Sequence, residues 1–112
     1  MSIFEPDSII TQIKRQVALD KIRVSLHGHE EMVEDDVSYD QLCEALLNGT
    51  VIENYPEHQR GACCLICGQT NSGRYLHIVC TTSLEVIIII TVYEPKLPKW
   101  VTPFQRRKSD EV

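Results

Sequence analysis

Apolar positions recur at helical spacing in the first half of the chain and at strand spacing in the second. Ile10, Ile13 and Val17 share one helical face, which predicts a helix over about 7–19 with Asp7 as its cap. Ile22 to Leu26 reads as a short extended piece, followed by a turn or short helix over His27-Gly28-His29-Glu30-Glu31-Met32. The next helix has the clearest start signal. Ser38 and Gln41 have the spacing of a capping box, and Val37 and Leu42 that of a hydrophobic staple. Leu42, Ala45 and Leu46 form its buried stripe. Asn48-Gly49 should end it, with the glycine in the left-handed conformation.

Strands are predicted over Thr50–Tyr55, Ala62–Gly68, Arg74–Thr81 and Glu85–Tyr93. Asn71-Ser72-Gly73 is a turn between the second and third. Thr82-Ser83-Leu84 is a short turn between the third and fourth. Short connections make neighbours antiparallel. The run Val86-Ile87-Ile88-Ile89-Ile90 leaves neither face for water, so 86–93 is predicted to be a central strand covered on both sides. Pro95, which has no amide hydrogen, stops it. The expected class is α+β, with N-terminal helices packed on a four-stranded antiparallel sheet.

A length of 112 residues fits one domain, with its core over about 7–107 and a frayed tail from Lys108. The apolar share of 43% is too high for a disordered chain. No apolar run reaches membrane-spanning length, and Met1–Asp7 lacks the pattern of an export signal. A cytoplasmic protein without membrane contact is expected. The five cysteines, an odd number, should then be reduced.

The net charge of −5 argues against non-specific nucleic-acid binding, but the charge is polarised. From Gly28 to Ala45 there are seven acids and no Lys or Arg. From Pro95 to Lys108 there are five basic residues and no acid. Two solvated faces of opposite sign explain this pattern. So does a basic patch, with Lys99, Arg106 and Arg107, beside the polar end of strand 86–93.

That polar end carries the candidate chemistry. Thr91 and Tyr93 are two apart on a strand and face the same way. His77 shares a face with Tyr75, Val79 and Thr81, so pairing of the last two strands could bring it to Thr91 and Tyr93. His77 reads equally as a buried histidine hydrogen-bonded within the sheet. His27 and His29 lie near the end of the short extended piece. Two histidines from distant segments can serve an RNA transesterification. One takes the 2′-hydroxyl proton and the other protonates the leaving 5′-oxygen. Arginines such as Arg106 and Arg107 can stabilise the phosphorane charge with no metal or other cofactor. Removal of the His77 side chain is expected to abolish cleavage and leave the melting temperature nearly unchanged.

Cys64, Cys67, His77 and Cys80 superficially resemble a zinc site. Cys64 and Cys67 are three apart on a predicted strand and point to opposite faces, as do His77 and Cys80. They read as buried apolar residues, and no metal ligand is assigned.

In order, Ser25-x-His27-Gly28-x-x-x-Met32, the helix ending Asn48-Gly49, and Val51-Ile52-Glu53-Asn54-Tyr55-Pro56 resemble the family called domain of unknown function 4258. Cys64-Leu65-Ile66-x-Gly68, Gly73-Arg74-x-Leu76-His77-Ile78-Val79, Ile90 to Pro95, Trp100 and Arg106-Arg107 continue the likeness, over roughly 9–107. The family is similar to RelE/ParE and MqsR-like toxins, small ribonucleases often encoded beside a zinc-finger antitoxin of the YgiT/MqsA type. The resemblance implies a RelE-like fold and a toxin with that partner, in which the zinc belongs to the antitoxin. Carried over by position, its site residues are His27, His77, Thr91, Tyr93, Arg106 and Arg107. Many relatives carry arginines near Met32, where this chain has Glu31 and Asp35. The sequence therefore points to a metal-independent endoribonuclease acting on mRNA. The alternative is a non-catalytic protein-binding module on the same fold, which the acidic stretch favours.

Overall fold

Helix α1 (Pro6–Ala18) opens the described part of the chain, which in this computed structural model is residues 6–107. It begins at Pro6, a residue whose fixed φ suits a first helical position, so Asp7 lies inside the helix and does not precede it as a cap. The expected frayed tail from Lys108 lies outside the described residues. The short extended piece is strand β1 (Ile22–Val24). The segment after it is a full helix, α2 (Leu26–Glu34), whose first turn is capped by the Ser25 side chain accepting from the Gly28 amide. Helix α3 (Tyr39–Leu47) begins at the expected place, with both bonds of the Ser38/Gln41 capping box formed.

The helix ends at Asn48, but not by the expected left-handed glycine. Gly49 does not adopt a left-handed backbone. It is small because a Cβ there would lie 2.5 Å from Ile66 Cγ2. Gly73, in the predicted turn, does have positive φ, at 94°.

Strands β2 (Thr50–Tyr55), β3 (Cys63–Gln69), β4 (Tyr75–Thr81) and β5 (Ile87–Tyr93) follow the expected antiparallel meander. The sheet is nevertheless five-stranded and mixed, in the order β1-β5-β4-β3-β2, and not four-stranded and antiparallel. Strand β1 pairs in parallel with β5, Ile22 opposite Ile87. A three-residue strand whose partner lies far along the chain leaves no local signal, and this is why it reads as an irregular piece. Strand β5 is flanked on both sides, but β4 holds the middle of the sheet.

The isoleucine run is also not buried evenly. Ile90 is a bulged residue, since Val79 faces Thr91 while Cys80 faces Ile89. The bulge shifts the alternation. Ile87, Ile89 and Val92 enter the core with the helices, and Ile88 and Ile90 are only half-buried. Thr91 and Tyr93 are thereby turned to the opposite face. The core lies between the helices and one sheet face. Ile9, Ile13, Val17, Leu42 and Leu46 meet Ile66, Leu76, Ile78 and the buried part of β5 there. Among the described residues no helix is long and apolar enough to cross a membrane.

Because β1 ends at Val24, the second half of β5 lacks a strand neighbour on that side. Helix α2 covers this edge with polar groups. The Ser25 amide donates to the Ile89 carbonyl (2.9 Å). The Val92 amide donates to Glu31 Oε1 (3.0 Å), and the Glu94 amide to Asp35 Oδ2 (2.9 Å). Glu31 and Asp35 thus occupy donors that could otherwise pair with another strand. Arg74 fastens the same corner. Its Nε donates to Glu94 Oε1 at 2.9 Å, and its Nη atoms donate to the Asp35 and Asp36 carbonyls. Arg74→Met should cost about 2 kcal/mol, since charge-assisted bonds are lost and two carbonyls lose their donor. A urea titration with an unchanged midpoint would rule this clamp out.

Candidate functional site

The sheet face opposite the helices is covered by a second, small unit. Beyond Pro95 the chain forms a hairpin of β6 (Trp100–Thr102) and β7 (Gln105–Arg106). It folds back over β4 and β5. Its plug is Trp100, 3% exposed, whose ring meets the His77 ring edge-on at 4.2 Å. Phe104 at the hairpin tip meets Tyr75 in a T-shaped contact at 5.7 Å.

His77 lies at the centre, fully buried and directly opposite Tyr93 in the strand register. Both ring nitrogens are engaged. Nε2 contacts the Pro103 carbonyl oxygen. A carbonyl can only accept, so Nε2 carries the hydrogen. Nδ1 is therefore an acceptor, and the Tyr93 hydroxyl donates to it at 3.0 Å. The ring is neutral and its tautomer is fixed. Burial pushes the His77 pKa down and the Tyr93 pKa up, since both charged forms would lose water. The Trp100 indole N–H is also buried here and faces the Tyr93 hydroxyl, which offsets part of the rise in the Tyr93 pKa.

Above Trp100, the Arg106 guanidinium carbon stacks 4.7 Å from the indole centroid. The same guanidinium grips Glu53 of β2 with two bonds, Nε to Oε2 at 2.6 Å and Nη2 to Oε1 at 2.9 Å. The Tyr55 hydroxyl donates to Glu53 as well. The hydrogen bond from Arg106 holds the Glu53 carboxyl below its ordinary pKa, and the carboxylate in turn raises that of Arg106.

The structure thus gathers six of the seven expected residues around one hairpin or on the sheet face beneath it. His77, Tyr93 and Arg106 belong to one connected cluster. Thr91 shares the face, opposite Val79. Lys99 is exposed at the hairpin base, its carbonyl accepting from the Arg107 amide, and the exposed Arg107 side chain follows β7. His27 stands apart. It is exposed on α2, with Nε2 3.3 Å from Glu31 Oε1. Glu53 and Tyr55 escaped the sequence reading. The signal was an acid and a tyrosine two apart on one predicted strand, which puts both on one face; the registers of β2 with β3 and of β3 with β4 make it the His77 face.

The cysteines divide as the strand geometry requires. Cys64 faces Cys80 on the helix side, and Cys67 faces His77 on the other. Burial pushes the Cys67 thiol up to about 11, so it is not a thiolate at neutral pH.

Two groups make stability acid-sensitive, in different windows. His77 has a folded pKa below its ordinary 6.5, so the unfolded chain takes up the proton first and stability falls as pH drops below that value. Glu53 has a folded pKa below its ordinary 4.5. Its contribution is present above 4.5 and is lost as pH falls through the folded value. Melting temperatures recorded across this range should fall in both windows. His77→Gln should flatten the upper limb and Glu53→Gln the lower. An upper limb unaltered by His77→Gln would contradict the assignment.

No curated protein and no solved structure matches this chain. Residues 24–94, the stretch from the end of β1 through β5 that carries His77, Tyr93 and Glu53, match the family model described as Domain of unknown function (DUF4258), and the chain belongs to that family.

Proposed function

We propose that this protein is a metal-independent endoribonuclease acting on mRNA in the cytoplasm, of RelE-like type. In this reading it is the toxin of a type II toxin–antitoxin pair, neutralised by a zinc-finger antitoxin. The observation that carries the reading is the Tyr93–His77 hydrogen bond beneath Arg106, a base of fixed tautomer behind a hydroxyl and beside a guanidinium. Tyr93 is the group that meets the substrate. Its oxygen takes the proton of the ribose 2′-hydroxyl as its own proton passes to His77 Nδ1. The 2′-oxygen then attacks phosphorus and the bond from phosphorus to the 5′-oxygen breaks. His27 stands apart on α2, so the proton to that oxygen comes from solvent. Arg106 stabilises the charge on the phosphorane, with Lys99 and Arg107 holding the flanking phosphates. Thr91 borders the same face. The products are a 2′,3′-cyclic phosphate and a 5′-hydroxyl.

The second reading, a non-catalytic protein-binding module, is favoured by a different part of the surface. A depression of about 610 Å3 between α2 and α3 is lined by Val33, Asp36, Asp40 and Glu44, with Arg74, already paired with Glu94, as the one cation among its described residues. Val33 is 80% exposed. This surface suits a basic protein and repels RNA. Digestion of single-stranded RNA in the presence of chelator separates the two. Cyclic phosphate ends support the nuclease. A partner-free protein that neither cleaves nor binds RNA and does not slow growth leaves the binding module.

A further inference from the structure

We propose that the β6–β7 hairpin is a lid over the His77–Tyr93 pair. Its latch is the Glu53–Arg106 ion pair, and it opens when a phosphodiester of single-stranded RNA replaces the Glu53 carboxylate on Arg106. The inference rests on the ribonuclease reading for what opens the lid, but not for the latch itself.

The attachment of the hairpin is the first argument. It joins the main sheet by no strand ladder, since β6 and β7 pair only with each other. Its own backbone bonds are local, Trp100 N–H to the Lys96 carbonyl and Arg107 N–H to the Lys99 carbonyl. What fastens it is a set of side-chain contacts. They are the Arg106–Glu53 pair, the His77 bond to the Pro103 carbonyl, the Phe104–Tyr75 contact and the Trp100 plug. The outer side is in water, with Val101 53% and Phe104 52% exposed. Lifting this unit uncovers Trp100, His77 and the neighbouring side chains of that sheet face, and leaves the core between helices and sheet intact.

The second argument is what Trp100 touches: its ring lies edge-on against His77 and its buried indole N–H faces the Tyr93 hydroxyl, so the plug seals the pair itself. The third is chemical. A carboxylate and a phosphodiester each carry one negative charge on paired oxygens that match the guanidinium fork. The exchange therefore conserves the charge facing Arg106, and Glu53 keeps the Tyr55 hydroxyl as a donor. Opening also frees Nε2 of His77 from Pro103 and bares Tyr93, the group that must reach the 2′-hydroxyl. In the closed form Trp100 and Pro103 stand between His77 and any substrate.

Hydrogen exchange on the full chain reads the latch. In Glu53→Gln, amides of 100–107 should exchange about tenfold faster or more, as expected when charge-assisted bonds are weakened. Those of β3 and β4 should keep the wild-type rate. Phe104→Ala, which touches no charge, should show a smaller rise in the same segment. Acrylamide quenching of Trp100, the one tryptophan of the chain, should increase in parallel. The opener is read with a 2′-O-methyl oligouridylate, which cannot be cleaved. Glu53→Gln should bind it about tenfold more tightly, because a competitor for Arg106 is gone, while Glu57→Gln, with the same change in net charge, should shift binding less than about twofold. Hairpin exchange unchanged in both lid variants, or raised equally throughout the sheet, overturns the lid. Equal binding by Glu53→Gln and Glu57→Gln overturns the phosphodiester exchange. An oligonucleotide bound by no variant, while the hairpin opens, removes RNA as the opener and the nuclease reading with it, but leaves the latch.

Discussion

Tyr93→Phe is expected to lower the rate of RNA cleavage about 100- to 10,000-fold, the usual loss when an acid or base is removed from a reacting proton path. The substitution deletes one oxygen. The ring stays in its place opposite His77, so folding should lose only about 1 kcal/mol for the missing hydrogen bond. Binding of an uncleavable oligonucleotide should be nearly unchanged, because phosphate contacts come from Arg106, Arg107 and Lys99. A variant that binds normally and cleaves at the wild-type rate would remove Tyr93 from the reaction. The change is cleaner than His77→Ala. The sequence suggested that removing His77 would spare stability. In the structure His77 has no exposed surface, bonds Tyr93 and Pro103, and packs against Trp100. Its removal should leave a cavity and cost about 2 kcal/mol or more. A loss of activity in that variant would then report unfolding as much as chemistry.

Gly68→Ala should be the most destabilising single methyl in the molecule. Strand β3 passes so close to α3 that a Cβ at Gly68 would overlap the carbonyl oxygen and carbon of Ala45. Both are backbone atoms of a helix whose stripe of Leu42, Ala45 and Leu46 is fully buried. No rotamer change can relieve the overlap, so helix and sheet must move apart. Overpacking of this kind costs about 3 kcal/mol or more, a fall in melting temperature of roughly 12 °C or more for a domain of this size. Adding Ala45→Gly should give no rescue, since the obstacle is the carbonyl and not the methyl. Gly49→Ala should cost less, because its nearest obstacle is the Ile66 side chain, although the Ala45 carbonyl follows at 2.9 Å. A melting temperature for Gly68→Ala within about 3 °C of wild type would show that the helix–sheet spacing is softer than the packing implies.

Such close packing is what the sequence alone could not reveal at Gly68 or Gly49. A glycine after a helix reads as a left-handed stop, because that is the local reason for glycine there. At Gly49 the operative reason is a side chain that arrives from β3. The same division runs through the whole chain. The sequence determined what nearest neighbours control. The capping box fixed the start of α3, helical spacing fixed α1, and the turn at Asn71-Ser72-Gly73 fixed the β3–β4 hairpin. Strand alternation alone put Cys64 and Cys67 on opposite faces and Thr91 with Tyr93 on the same one, since side-chain direction in a strand is a matter of parity. The α+β class followed from the order of these elements.

Tertiary structure decided everything that needed a partner far away in sequence. Parallel pairing of Ile22 with Ile87 added the fifth strand. The bulge at Ile90 chose which isoleucines enter the core, and loss of a strand neighbour past Val24 gave Glu31 and Asp35 to the β5 edge. Acids that looked like a repulsive surface for RNA are there acceptors for backbone amides. The basic pair near the C-terminus was separated in the same way. Arg106 is held by Glu53 across the sheet, and Arg107 remains in water. The two readings of His77, catalytic or buried, could not be separated by parity. Parity sets the face of a strand on which a side chain lies but not what covers that face, and here the cover is a hairpin that begins more than twenty residues later.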